Sequence, residues 1–245
     1  MPLFYIHWNI FASTKKNCMT FFATMNEQDD ANDAGKNVKI LGRWHCVSKG
    51  EGWCVVEAPV YADVASFLFN WSSMCDITVE SVLNDDDQRT LLMNKYSMGK
   101  NSWTAKFDRA ANAEPQTGET LYHITYKFKP GCTAAGFKAF AGMKPEHDQA
   151  DKGNCQSLGR WHNTGTGSGY AVCAAKHPKD VNAWAANWAE LCECDIRPVC
   201  TDLQTRTIVQ SKPDFEMSVN NVLKGMGMVA GGVKSFADLK KKLSL

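Results

Sequence analysis

The chain has 245 residues, a formal net charge of +1, 44% hydrophobic residues and 22% charged residues. That is the balance of a globular protein, long enough for one large domain or two small ones. Near-neutrality gives no field to hold nucleic acid or an anionic membrane, and no apolar run reaches the roughly 18 residues needed to span a bilayer.

The first residues, "MPLFYIHWNIF", read as a strand and lack the basic start and cleavable apolar stretch of a signal peptide. A short helix is expected over 13–25. "LGRWH" (41–45) and "GWCVVEA" (52–58) read as two strands of a hairpin, joined through the Gly-rich "KGEG" (49–52). In "DVASFLFNW", Val64, Phe67, Leu68 and Trp71 fall at i, i+3, i+4 and i+7, one face of a helix, with Asp63 near its start. "ITVESVL" (77–83) is a closing strand. Residues 93–119 form a polar linker in which Trp103 and Phe107 are expected to pack down.

From residue 120 the same order returns. "LYHITYKF" (121–128) opens it, a helix is expected over 132–143, and "LGRWH" recurs at 158–162. "GTGSG" (165–169) and "GYAVCAA" follow. Then comes a helix with Val181, Trp184, Ala185 and Trp188 on one face, and last the strand "CDIRPVC". Residues 38–92 align with 155–209 at a constant offset of 117. About a third of the positions are identical, well beyond chance for so long a window.

Each repeat reads βαββαβ, the split βαβ unit with both helices on one face of a four-stranded antiparallel sheet. Two open sheet faces in one chain can cover each other. The expected fold is therefore α+β: two ferredoxin-like repeats, 1–92 and 120–209, forming an intramolecular pseudo-dimer, sheet facing sheet. The linker 93–119 and a C-terminal tail, 210–245, complete the chain.

Side chains alternate along a strand, so Gly42 and Trp44 point one way and Arg43 and His45 the other. Trp44 and Trp161 are expected beneath the helices, with Gly42 and Gly159 leaving room for a helix side chain. Arg43, His45, Arg160 and His162 then face the cleft between the sheets, joined by His7 and His123 from the first strands. There His can exchange a proton and Arg can bind an anionic ligand. Equally, the same groups can hydrogen-bond across the two sheets and fix the pseudo-dimer. No nucleophile or carboxylate dyad stands beside them, so no catalytic residue is assigned.

The Gly-rich stretches lack the following helix that a phosphate loop needs and read as hairpin turns. Ten cysteines, most in apolar segments, read as free thiols in a reducing intracellular compartment. In "CECDIRPVC", Cys192 and Cys194 share a face at strand spacing, without the four-ligand spacing of zinc; no metal and no cofactor is expected. "HDQAD" (147–151) reads as a solvated loop. Asn70 and Asn187 recur beside the helix stripe and suit hydrogen bonds to a loop.

The tail has no counterpart after the first repeat. Its "SFADLKKKL" places Phe236, Leu239 and Leu243 on one face of a short helix, with Lys240–Lys242 at the end that suits the macrodipole. Such a segment can return to its own domain, dock on a neighbouring copy or touch a membrane surface weakly.

"YKFKPG" (126–131), "LGRWH" (158–162), "GSGYAVCAA" (167–175), "NWAEL" (187–191) and "IRPVCTD" resemble a family of small bacterial and algal domains of unknown function, related to the dimeric α/β-barrel superfamily. The first repeat keeps the middle of the pattern and departs at "HWNIFAS", where the Lys-Pro-Gly element is missing. The tandem arrangement is similar to shell proteins that tile around the pyrenoid of marine algae. That resemblance implies a structural, self-associating protein of the plastid stroma, with Phe236, Leu239 and Leu243 as assembly contacts. The alternative, implied by the superfamily's monooxygenases and haem proteins, is a small-molecule binder or enzyme using the inter-sheet cleft.

Overall fold

The structure, a computed structural model, describes residues 1–99 and 104–225. The first repeat runs β1 (Leu3–Ile10), α1 (Lys15–Thr24), α2 (Glu27–Ala34), β2 (Lys39–Cys46), β3 (Glu51–Glu57), α3 (Tyr61–Phe69), β4 (Cys75–Asn84) and α4 (Asp85–Tyr96). The second repeats it: β5 (Thr120–Phe128), α5 (Thr133–Gly142), α6 (Pro145–Lys152), β6 (Gln156–Asn163), β7 (Ser168–Ala175), α7 (Pro178–Asn187), β8 (Cys192–Val199) and α8 (Asp202–Gln210). A further helix, α9 (Phe215–Gly225), follows and packs on α1.

Besides α9, four of these helices extend the expected βαββαβ order, and capping side chains account for three of them. Asn26 caps α2 in a capping box with Asp29. Asn84 caps α4, with Asp85, Asp86 and Asp87 in the first turn, where carboxylates suit the helix dipole. Thr201 and Gln204 form the capping box of α8. The fourth, α6, takes up the "HDQAD" stretch expected as a solvated loop and starts with Pro145 in its first turn. Asp151 on α6 accepts the indole N–H groups of both Trp184 and Trp188, at 2.8 and 2.9 Å.

The strands lie in the order β2-β3-β1-β4-β6-β7-β5-β8. Within each repeat every pairing is antiparallel. The two sheets join at both edges. On one side β4 meets β6, Leu83 opposite His162 and Asn84 opposite Trp161. On the other, His45 and Cys200 exchange two backbone hydrogen bonds of 2.9 Å. These joints are related by the same offset of 117, so the sheets close into a barrel with pseudo-twofold symmetry.

The barrel interior is apolar and aromatic: Tyr5, Trp44, Trp53, Leu121, Trp161 and Tyr170 lie in one buried cluster. Trp44 and Trp161 are therefore inside the barrel, not beneath the helices as expected. Gly42 and Gly159 make room for the rings of Trp44 and Trp161 themselves, not for a helix side chain. Both strands shift register just before these glycines, between Ile40 and Gly42 and between Ser157 and Gly159. The bulge breaks the alternation, so Leu158 and Trp161, three apart, both face inward. Separate apolar layers lie between each sheet and its helices.

The hairpin turns hold Gly50 and Gly167 at φ 73° and 65°, the left-handed region that favours glycine. Asn70 and Asn187 donate to Asp33 on α2 and Asp151 on α6, so their partners lie on helices and not on a loop as expected. Of the linker, Phe107 is half-buried, Ala111 and Ala113 pack against the barrel core, and Asp108 accepts from Lys152 and Ser157; Trp103 lies outside the described residues. The tail positions Phe236, Leu239 and Leu243 also lie outside them. Among the described residues no helix is long and apolar enough to cross a membrane.

Candidate functional site

The helix-facing side of each LGRWH strand carries its Arg and His. Arg43 Nε lies 2.9 Å from both carboxylate oxygens of Asp202, its Nη2 lies 2.5 Å from Asp202 Oδ2, and Nη2 also donates to Asp30 at 2.9 Å. His45 Nε2 lies 2.7 Å from Asp202 Oδ1. In the second repeat Arg160 donates to Asp85 at 2.9 and 2.5 Å and to Asp148 at 2.8 Å, and His162 Nε2 lies 2.7 Å from Asp85 Oδ1. Asp85 opens the helix after the first repeat and Asp202 the helix after the second. Each repeat thus clamps the helix that follows the other one.

Burial alone would raise the Asp85 carboxyl. The charge of Arg160 and the hydrogen bonds from Arg160 and His162 outweigh it and hold Asp85 well below the usual carboxylate range. Asp202 behaves alike beside Arg43 and His45. Both histidines are pushed the other way: burial lowers His45 and His162 despite the carboxylates beside them, leaving neutral rings at pH 7. A neutral imidazole that donates from Nε2 to the aspartate presents Nδ1 as an acceptor. His162 uses it, with the Tyr126 hydroxyl at 2.5 Å.

The six candidate residues do not share one inter-sheet cleft. Arg43 and His45 lie on the outer face of the first sheet, and Arg160 and His162 on the outer face of the second. His123 lies inside the barrel, stacked on Trp53 with centroids 4.3 Å apart, its Nε2 2.9 Å from the Tyr5 hydroxyl. Burial pulls it down to about 3. His7, also against Trp53, bonds Glu51 at 3.0 Å. The inter-sheet space is filled by aromatic rings.

What the Arg–His pairs line is a cavity in each repeat, between sheet and helices. The first, of about 60 Å³, is walled by Trp8, Met19, Phe22, Phe67 and Trp71 with Arg43 and His45. The second, of about 70 Å³, is walled by Tyr126, Phe137, Phe140, Trp184 and Trp188 with Arg160 and His162. Most wall positions correspond: Trp8 with Tyr126, Phe22 with Phe140, Trp71 with Trp188, Cys75 with Cys192. Gly52 and Gly169 let Trp8 and Tyr126 lie across β3 and β7. The first wall also carries Cys18, Cys54 and Cys75.

Sequence reasoning missed Asp85 and Asp202, although both recur at the offset of 117 along with Arg89 and Arg206. It also missed Asp30 and Asp148, Tyr126 and Gln88. The signal available was the helix caps at Asn84 and Thr201, which make the next residue a first-turn carboxylate. Among the described residues no three His, Cys, Asp or Glu side chains converge to hold a metal ion.

No curated protein matches the chain. Solved structures do. A provisionally assigned monooxygenase from Lactobacillus acidophilus matches at 11% identity over 82% of this chain and 94% of its own, with a TM-score of 0.45. A second, from Fusobacterium nucleatum, matches at 7% identity over 82% and 92%, with a TM-score of 0.46. A Rhodococcus jostii DypB variant in complex with heme matches at 8% identity over 86% and 95%, with a TM-score of 0.48. The expectation of a self-assembling structural protein like those of the pyrenoid finds no counterpart among these matches and is withdrawn. At such identities and scores the likeness carries no activity over. Over residues 2–96 and again over 120–213 the sequence matches the family described as domain of unknown function DUF3303, and the chain belongs to that family, with two copies of its domain in tandem.

Proposed function

We propose that this protein binds small, largely apolar molecules, one in the helix–sheet cavity of each repeat. The observation that carries the reading is the recurrence of the same cavity at equivalent places, each with an Arg–His pair as part of its polar wall. Aromatic walls with a few fixed polar groups are the usual make-up of a small-ligand site. A cavity of about 70 Å³ holds more than the roughly 10–15 Å³ of one water and is about half the roughly 150 Å³ of an apolar cavity that takes benzene, so an aromatic guest requires the walls to give. The Arg–His pairs are anchored by carboxylates, so in this reading they shape the wall and do not themselves capture an anion. The units of function are the repeats, 1–92 and 120–209. Ten cysteines outside any disulfide fit a reducing compartment.

The test is titration of the full chain with toluene, followed by the chemical shifts of the wall methyls Ile6, Ile77 and Ile124 and by tryptophan fluorescence. Saturable shifts at those methyls support the reading. Absence of saturable change, or change confined to the barrel interior, overturns it.

A further inference from the structure

Two of the positions at which the cavities differ change what the wall can hydrogen-bond. Where the first has Trp8, the second has Tyr126, whose hydroxyl hydrogen-bonds His162 Nδ1 at 2.5 Å while His162 Nε2 meets Asp85 Oδ1 at 2.7 Å. Neutral His162 donates to Asp85, so its Nδ1 accepts the Tyr126 proton. The phenolic oxygen is left with lone pairs and no donor of its own among the described residues.

Gln88, on α4, is the second difference. It is fully buried (0% exposed), lines the second cavity, and holds the Thr164 hydroxyl on its carbonyl oxygen at 2.5 Å. Its amide nitrogen has no partner among the described residues. A buried amide donor left unpaired costs about 1–3 kcal/mol, and such an exception calls for an explanation. The residue at the same place in the other repeat is Thr205, which is not on the first cavity's wall.

An acceptor at Tyr126 and a donor at Gln88, on one small cavity lined with aromatic rings, make a complementary set for one chemical group: a hydroxyl on an aromatic ring. We propose that the second cavity is a site for a small phenol. The ring lies among Phe128, Phe137, Trp184 and Trp188. The phenol O–H donates to Tyr126 Oη, and Gln88 Nε2 donates to the phenol oxygen. The Tyr126–His162–Asp85 chain fixes the polarity, because the Tyr126 O–H is already committed as a donor to His162 Nδ1. The first cavity, with Trp8 and three thiols, offers no such pair and takes ring shape alone. This rests on the small-molecule reading above and adds to it the ligand class and the repeat that selects it.

The test uses phenol and toluene, of nearly the same shape, titrated calorimetrically into the full chain. Phenol is expected to bind one site about tenfold or more tighter than toluene, the scale of one to two hydrogen bonds inside a dry wall. Gln88→Leu and Tyr126→Phe should each remove most of that preference and leave toluene affinity within about twofold. The phenol-to-toluene ratio is read within each folded variant, so a general loss of stability does not imitate the result; Gln88→Met is the second variant should Gln88→Leu not fold. Ala185→Trp, which fills the second cavity, should abolish the tight phenol site. If toluene binds but phenol binds no tighter, or if Gln88→Leu keeps the preference, the phenol site is overturned and the general reading survives. If neither compound binds, both are overturned.

Discussion

Trp44 and Trp161 are counterparts in the two repeats, and their rings meet inside the barrel with centroids 5.8 Å apart. The duplicated LGRWH stretch is thus first of all a piece of scaffold: each copy supplies one half of a symmetric aromatic contact. Trp44 also stands opposite Trp53 on the neighbouring strand. Replacing Trp44 or Trp161 by Ala removes a large buried ring from a packed interior. Each change should cost about 3–5 kcal/mol in urea denaturation. Because the rings touch, the double variant should depart from the sum of the singles by about 0.5–3 kcal/mol. A loss below about 1 kcal/mol for Trp44→Ala would place the ring outside the core.

The cysteines separate by burial. Cys132, Cys194 and Cys200 are partly exposed, and the other seven are buried. Burial raises Cys54 and Cys192 to about 12, which leaves almost no thiolate at pH 8. Alkylation of the native protein should therefore label the three partly exposed thiols first. Unfolding without reductant should release all ten, as counted by mass spectrometry. Fast labelling of Cys54 in the native state would contradict the packing under α3.

Much of this architecture was legible in the sequence because the repeat is gapless over 38–92 and 155–209, which ties every element of one half to the other. The face of the LGRWH strand was not. Polarity alone suggested that Arg43 and His45 face the cleft, since a charged group under helices is costly. That cost is offset by Asp202, a residue 159 positions from Arg43 that no local pattern connects to it. The bulge before Gly42 hides the phase further, because Leu41 packs with Trp44 and not with Arg43. Of the site, the Arg–His pairs were visible as a recurrence. Tyr126 and Gln88 were not, because neither is repeated: their counterparts are Trp8 and Thr205.

Asp85 and Asp202 do the same work in unequal settings. The Asp85 side chain is 1% exposed and Asp202 is 34% exposed. Removing one partner of a fully buried pair leaves the other charge uncompensated, at about 3–5 kcal/mol. Asp85→Ala leaves the half-buried Arg160 with Asp148 and takes the acceptor from His162, so it should fall at the low end of that range. Asp202→Ala lets water reach Arg43 and should cost clearly less. Each variant should loosen the opposite repeat, so hydrogen exchange should rise at β6 for Asp85→Ala and at β2 for Asp202→Ala. Equal losses in the two variants, or exchange confined to the mutated helix, would refute the crossed clamp.

Acid stability follows from the buried histidines before it follows from the carboxylates. His123 is held down to about 3, first by burial and then by its electrostatic neighbours, Arg197 among them, against about 6.5 in an unfolded chain. A folded pKa below the unfolded one means that the unfolded chain takes up a proton that the native protein refuses. The stabilisation is complete above pH 6.5 and is lost as pH falls from about 6.5 towards 3. His45 and His162 are lowered for the same first reason and act in the same direction. Asp85 and Asp202, also held low, add their loss only below about pH 4, where unfolded carboxyls begin to protonate. Stability measured by urea unfolding should therefore start to fall near pH 6.5, by up to about 1.4 kcal/mol per pH unit for each such histidine. His123→Phe deprives the Tyr5 hydroxyl of its partner and lowers stability at pH 8, yet it should make the slope between pH 6 and 4 shallower by about one proton. An unchanged slope in that variant would mean that His123 is protonated in the folded barrel, and the aromatic stack with Trp53 would have to accommodate a charge.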